Sequence, residues 1–558
     1  MAGDIVFRPG TPHLPAMRTG TAARTAIGVL AAAVIPLTGR AQLIQPSDLE
    51  YRGAFRLPGP GGAGEATWAW GGHGLAYHPG GDPLGPEDGY PGSLFGLGHD
   101  HHQYVSEIGI PEPVISGGKD LADLNTATTL QPFANIRGNL YAGAEPFEIP
   151  YAGLEYLPAG SGRTVERLYF GWHQHLQIAS SYPTHGWCSL NLAAPNPVGP
   201  WYIGNYDTYG TTDYLFAIPQ GWADAHAGGR CLATGRMRDG GQGGQGPSIY
   251  AIGPWLDGDP PPANARLSAI PLLRYHNVYY GDPYSGPRAM DRYHHSDQWA
   301  GAAWLTAGGS GAVIFVGTKG RGDCWYGGPN GEPPPCENQG WWSTYFDGEI
   351  IFYDPAELAA VAAGAMQPYE PQPYAVMNID GFLFRNLSAR THDHFKAAAF
   401  DRARGLLYVF EPLADDDKPI VHVWKVQADG RTPTPTVSVK ANRATFKRSG
   451  EISVTADVAK TGTPCWPFVR IRQPNGKTLY LDQSRGFVAE VAPYLGIKTG
   501  PVALPDIPGY PVLQDAQFRD MPTGTYALEG GAVDISTTDI NDLKYVGVVS
   551  GQALSVEE

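Results

Sequence analysis

Short apolar runs of period two, separated by turns rich in glycine, proline and asparagine, organise most of the chain. "GLAYHP" from Gly74 recurs as "GLEYLP" from Gly153, and a second apolar run follows each, "SLFGLGHDH" from Ser93 and "RLYFGWHQH" from Arg167. Setting Leu94 on Leu168 brings His99 onto His173 and His101 onto His175, so the two H-x-H triplets occupy equivalent places. Further on, "DQWAGAAWL" from Asp297 matches "DHFKAAAFD" from Asp393, and each leads into a strand, "GAVIFVGTK" and "GLLYVFEPL". Between these pairs stands "DYLFAIP" from Asp213, followed by "RCLATGRMR" from Arg230.

Five units are therefore legible, each reading as strand, hairpin, strand, long tip and strand, with an edge strand such as "YAVMNID" behind. This is how the blades of a β-propeller look in a sequence. "YRGAFRLP", Tyr51 to Pro58, has no unit of its own and is expected to complete the last sheet by ring closure. The long connections leave room for as many as seven blades. After "TPTPT" (Thr432 to Thr436) the pattern becomes a clean alternation, "VSVKA", "ISVTADV" and "VRIRQPNGKTLYL", with a strong hairpin turn at Asn475-Gly476. An all-β chain is predicted: a β-propeller over residues 42–431, then an Ig-like β-sandwich over 432–558.

Composition agrees with this class and narrows the partners. Gly 74 and Pro 51, beside Tyr 30 and Trp 14, describe a turn-rich and aromatic-rich protein in which long amphipathic helices are scarce. The formal net charge of −15, from 39 basic and 54 acidic residues, argues against nucleic-acid binding, so a cationic site must be local. Near the N-terminus, Arg18 and Arg24 precede an apolar run from Ala26 to Ile35, with Gly39 and Ala41 behind it. Residues 1–41 read as a secretory signal whose start is better placed at Met17, and the run is too short to span a bilayer. The expectation is an exported monomer, periplasmic or extracellular, with no membrane anchor.

In a four-stranded blade, the tip between the second and third strands opens on the same face as the loop leading into the first strand. That face collects His99, His101 and His102, then His173 and His175, then Arg236 and Arg238, then Lys319 and Arg321. The lead-in loops add Tyr214, then His294, His295 and Asp297, then His392, Asp393 and His394. Singly, each has a plain explanation. A histidine in a tip can be a turn former, the cations can be solvated, and Asp297 and Asp393 can pin backbone amides. Their convergence on one face points to a binding site for an anionic polysaccharide.

The chemistry suited to these residue types is β-elimination at a uronate: a cation neutralises the carboxylate, His or Tyr removes the C5 proton, and Tyr or His protonates the leaving oxygen. Paired carboxylates, which a glycoside hydrolase needs, are scarce at the tips, with Glu155, Asp213 or Asp297 as the candidates for that alternative. A non-catalytic glycan-binding propeller is the third possibility. The tips "GHDHH" and "GWHQH", the Tyr ahead of an Arg-bearing tip in "DYLFAIP…GRCLATGRMRDGG", and "DGEIIFYDPAELAAVAAGAMQPYEPQPYA" resemble the propeller-fold polysaccharide lyases of the ulvan-lyase type. The resemblance covers the propeller part and implies a His–Tyr–Arg canyon at His173, Tyr214 and Arg236, with His99 or His102 as second histidine. It also implies seven blades, more than the units counted here. The C-terminal part resembles the Ig-like accessory domains of secreted bacterial proteins.

No cofactor is required by this chemistry, although a structural zinc or calcium is compatible with it. Cys324 and Cys336 share one long tip, where a disulfide is the default in an exported protein. A zinc ion held by Cys324, Cys336 and a histidine, His294 or His295, is the alternative.

Overall fold

Neighbouring sheets approach one another so closely in this protein that some positions on their innermost strands admit only glycine. A Cβ on Gly153 would lie 2.5 Å from the Tyr214 carbonyl carbon, and one on Gly301 would lie 2.4 Å from the Lys396 carbonyl oxygen. The computed structural model describes residues 43–557 except 60–63, 83–84, 86–88, 143–149, 175–181, 207, 239–245, 276–287, 328–339, 386, 388–390, 428–436, 459–465, 476, 483–485, 489–506, 517–521 and 534–549. The proposed signal segment, His175 and Cys336 fall outside the described residues.

Five sheets coincide with the five sequence units, antiparallel throughout except that Arg266–Leu267 pairs parallel with the outer strand of the second, Val198–Ile203. Their innermost strands are Leu75–His78, Pro150–Leu157, Tyr214–Ala217, Gln298–Ala307 and Ala398–Asp401. Each of these touches the innermost strand of the next sheet, and the fifth touches the first, so the sheets form a closed, propeller-like ring. Closure is completed by Leu49–Arg56, which pairs antiparallel with Lys418–Val426 and becomes the outer strand of the fifth sheet. Among the described residues the only α-helices are Gln220–His226 and Pro355–Ala362, and none is long and apolar enough to cross a membrane.

The core lies between facing sheets. One cluster joins Trp187 and Trp201 of the second sheet to Trp299 and Trp304 of the fourth through the third. Others fill the seams between fourth and fifth, fifth and first, and first and second sheets. Burying aromatic and branched side chains on both faces of every sheet holds the ring together at roughly 25 cal/mol per Å² of apolar surface.

Beyond residue 436, two sheets face each other across a separate apolar core containing Val454, Val469, Ile471, Leu528 and Val556. The alternating burial of Ile452–Val458 is that of a sandwich strand with one wet face. Arg472 reaches from this sandwich to Asp291 of the ring at 2.7 Å.

Candidate functional site

The lead-in loops and second-strand ends do meet at one end of the ring, and backbone bonds stitch neighbouring sheets there. Trp299 donates its N–H to the Met237 carbonyl (2.7 Å), and Ala397 donates to the Gly72 carbonyl (3.0 Å). The side chains brought to this end fall into a buried layer and a partly exposed layer.

Most of the sequence-predicted residues belong to the buried layer. His173 is buried with its Nε2 3.5 Å from Asp213, whose other oxygen accepts the Met237 N–H at 2.8 Å. The Tyr214 hydroxyl lies 2.9 Å from the Arg236 carbonyl and 2.7 Å from the Ser248 carbonyl, and accepts the Ser248 N–H at 3.1 Å. Burial drives its pKa well above the usual value for a phenol. The resemblance implied a proton-transfer role for Tyr214; here the hydroxyl is committed to backbone and withdrawn from solvent. Arg236 is buried too, and its Nε donates to the Arg238 carbonyl.

Lys319 and Arg321 depart furthest from the expectation of substrate-facing cations. Lys319 is 1% exposed and donates to both oxygens of Asp297 (2.9 and 3.2 Å) and to the Gly320 carbonyl (3.0 Å). Burial lowers its pKa to about 8, with Asp297 opposing that shift. Arg321, fully buried, bonds Asp347 at 2.9 Å and also Glu349, which Arg292 holds at 3.1 Å from a second side. These cations are neutralised where they stand, because a charge in so dry a place persists only with a partner. Asp297 accepts the N–H groups of His294 (3.0 Å) and Gly320 (2.9 Å), as Asp213 does that of Met237, so both carboxylates pin their turns.

His294 and His295 are likewise interior. His294 contacts Ser343 at 3.1 Å and is held well below the usual histidine pKa by burial and then by Lys319, Arg321 and Arg292. His295 stacks on Trp341 with ring centroids 4.2 Å apart. Cys324 lies opposite Ser343 on the neighbouring strand. Among the described residues no three His, Cys, Asp or Glu side chains converge as a metal site, and Cys336 lies outside them.

The partly exposed layer holds His99, His102, Arg238, His392 and Asp393, joined by two residues that the sequence reading passed over, His73 and Lys396. Lys396 Nζ lies 3.4 Å from His73 Nε2 across the seam between the fifth and first sheets. Desolvation, then Lys396 and Arg238, hold the His73 pKa well below 6.5 against the opposing pull of Asp393. For Asp393, burial alone would raise the pKa, but Lys396, His392, His73 and Arg238 together bring it below its usual value. Asp393 also sits at φ +56°, a left-handed conformation that costs energy in any non-glycine residue.

An aromatic rim continues from this cluster. Trp70, 40% exposed, meets the His99 ring edge-on at 5.3 Å, and His99 accepts the His101 N–H at 3.2 Å. His101 is exposed, and the His102 carbonyl accepts from Arg137 at 2.5 Å. Desolvation lowers the His99 pKa, with Asp100 opposing.

A signal for the missed pair was available. His73 stands just ahead of the first innermost strand in "GGHGLAYHP", where other units carry Asp213 and Asp297. Lys396 occupies the place of Ala300 when the fourth and fifth units are aligned. A lysine just ahead of the small-residue strand Ala398–Asp401 is the anomaly that marks it.

No family model and no curated protein matches the chain. Among solved structures it is similar to a GH32 beta-fructofuranosidase of Bombyx mori in complex with sucrose, with TM-score 0.31 and 10% identity over 92% of this chain and 90% of that one. It is also similar to the extracellular domain of a putative hybrid two-component system from B. thetaiotaomicron, with TM-score 0.21 and 8% identity over 93% of this chain and 60% of that one.

Proposed function

We propose that the ring is a five-bladed β-propeller carrying an Ig-like sandwich, that the protein is exported, and that the partly exposed mouth binds a uronate-containing polysaccharide and cleaves it by β-elimination. The observation that carries this reading is the 3.4 Å approach of Lys396 to His73, with Arg238 and Asp393 close enough to act on the same ring. A histidine held neutral is able to accept a proton at pH 7, and cations beside it can neutralise a uronate carboxylate and stabilise the enolate that forms. In the elimination, His73 takes the C5 proton, the electron pair forms the C4–C5 double bond, and the C4–O bond breaks as the leaving oxygen gains a proton. His99 or His102, on the adjacent tip, is the candidate donor of that proton.

Of the carboxylates the sequence offers a hydrolase, Asp213 and Asp297 are committed to backbone amides and Glu155 belongs to the opposite end of its strand. Asp393, Asp100 beside His99 (3.1 Å) and Glu65 beside His102 (3.8 Å) are the carboxylates at the mouth that hydrolysis would have to use. The proposal is tested by incubating the protein with a panel of uronate polysaccharides and following the ultraviolet absorbance of the conjugated uronate product. Absorbance that grows with wild type and is lost in His73→Ala supports it. New reducing ends without absorbance would mean hydrolysis, and bound but uncut polymer would mean a binding module.

A further inference from the structure

At the other end of the ring axis, the C-terminal ends of four innermost strands and the middle of the fourth, Gln298–Ala307, line a half-open cavity of about 240 Å³. Tyr77, Trp304, Phe216 and Phe400 give it an aromatic wall, and two charged-type side chains, Glu155 and Arg402, line it while remaining partly exposed. Nothing in the proposed chemistry of the mouth uses it. We propose that this cavity is a second binding site, taking a small carboxylate about the size of one sugar acid, held between the Arg402 guanidinium and the Glu155 side chain.

Arg402 is fixed from three sides. Its Nη2 donates to the Ala217 carbonyl (3.0 Å), and its Nη1 to the Trp304 carbonyl (3.3 Å) and the Thr306 hydroxyl (3.5 Å). A guanidinium has five N–H donors, so these bonds orient it and leave donors for a ligand. Glu155 accepts the N–H of Tyr156 at 2.8 Å and that of Ala217 at 2.9 Å, one on each oxygen. Burial raises its pKa to about 8, outweighing those two bonds and Arg402. In neutral solution the group is therefore mostly a carboxylic acid, whose O–H has no acceptor among the bonds of the described residues.

The other titratable groups leave this balance unchanged. Asp401 is turned to the N–H groups of Ala403 and Arg404, Tyr77 donates to the Pro91 carbonyl, and the Cys231 thiol beside Arg402 is bonded by Arg163 at 3.0 Å. Burial raises the pKa of both Tyr77 and Cys231, so both stay neutral. The cavity thus presents one fixed cation and one neutral acid donor between aromatic faces. Its complement is a small anion with hydrogen-bond acceptors and an apolar or sugar-ring body.

The test is calorimetric titration of the full chain with D-glucuronate, with D-glucose as the neutral control. Saturable binding of glucuronate and not glucose is expected at pH 6.5, weakening as the pH rises through about 8. Glu155→Gln keeps a donor but cannot ionise, so its binding should no longer fall with pH. Arg402→Met should weaken binding by about tenfold or more. Should that variant fold poorly, Ala217→Leu, which fills the cavity without removing a hydrogen bond, should block binding instead. Equal binding of glucose, no binding at all, or binding untouched by Ala217→Leu would overturn the proposal. Loss of binding on Lys396→Met with no effect of Ala217→Leu would place the ligand at the mouth and overturn it as well.

Discussion

Lys396 Nζ lies 3.4 Å from His73 Nε2, and the two belong to the last and first sheets of the ring, 323 residues apart. A cation so close to an imidazole disfavours its protonated form, and both groups face the same opening. The first prediction follows from that pair. Lys396→Met should move the His73 pKa upward toward the ordinary value, because the loss of a like charge stabilises the imidazolium. Titration of the His73 ring by NMR reads this directly, and an unmoved pKa would show that desolvation alone sets it. Binding of an acidic glycan should weaken in the same variant.

Tyr214→Phe should behave as a stability variant. Removing the hydroxyl takes the donor from the Ser248 carbonyl in the interior, which costs about 1–3 kcal/mol, while the Ser248 N–H and the Arg236 carbonyl keep the bond they share (3.3 Å). Denaturant unfolding measures that loss, while activity per folded molecule should remain within a few-fold of wild type. A collapse of turnover with stability intact would restore Tyr214 to the reaction.

Lys319→Met leaves Asp297 buried without its cation and should destabilise the fold by about 3–5 kcal/mol. The folded fraction should keep the salt dependence of glycan binding, since Lys319 adds no charge to the surface. Arg238→Met, at a partly exposed position, should flatten that dependence because exposed charges are screened over about 10 Å at 0.1 M salt. Affinity measured against ionic strength for the two variants separates the interior cation from the surface one.

Glu155 gives a pH prediction with a definite sign. Its folded pKa of about 8 stands above the ordinary 4.5, so the folded state binds the proton more tightly than the unfolded chain. The stability it contributes is complete below about 4.5 and is lost as the pH rises through about 8. Glu155→Gln should therefore match wild type near pH 4.5 and exceed it near pH 9, by something on the order of 2–4 kcal/mol after allowing for partial exposure. Denaturant midpoints at the two ends of this range check it, and a constant difference across them would mean that Glu155 is ionised throughout.

What the sequence determined by itself is the set of strands and their grouping. A strand announces itself through a local period of two, and a repeated unit through the spacing of its turns, so "GLAYHP", "GLEYLP", "DYLFAIP" and their partners mark five sheets that the structure contains. The orphan strand near Tyr51 was readable for the same reason: a ring needs one strand more than its last unit supplies, and Leu49–Arg56 supplies it.

The fate of each charge was decided only by the tertiary structure. Lys319 and Arg321 look like loop cations because their partners are distant in sequence: Asp297 comes within 2.9 to 3.2 Å of Lys319, Asp347 within 2.9 Å of Arg321, and Glu349 against Arg321, only when the fourth sheet pairs. Tyr214 reads as a lead-in residue facing the mouth, yet its hydroxyl is consumed by carbonyls that a sequence does not display. His73 and Lys396 are the reverse case, unremarkable apart and adjacent once the ring closes. Hydrophobic alternation is a property of neighbours along the chain and survives in one dimension, whereas ion pairing and desolvation act between residues that only folding makes neighbours.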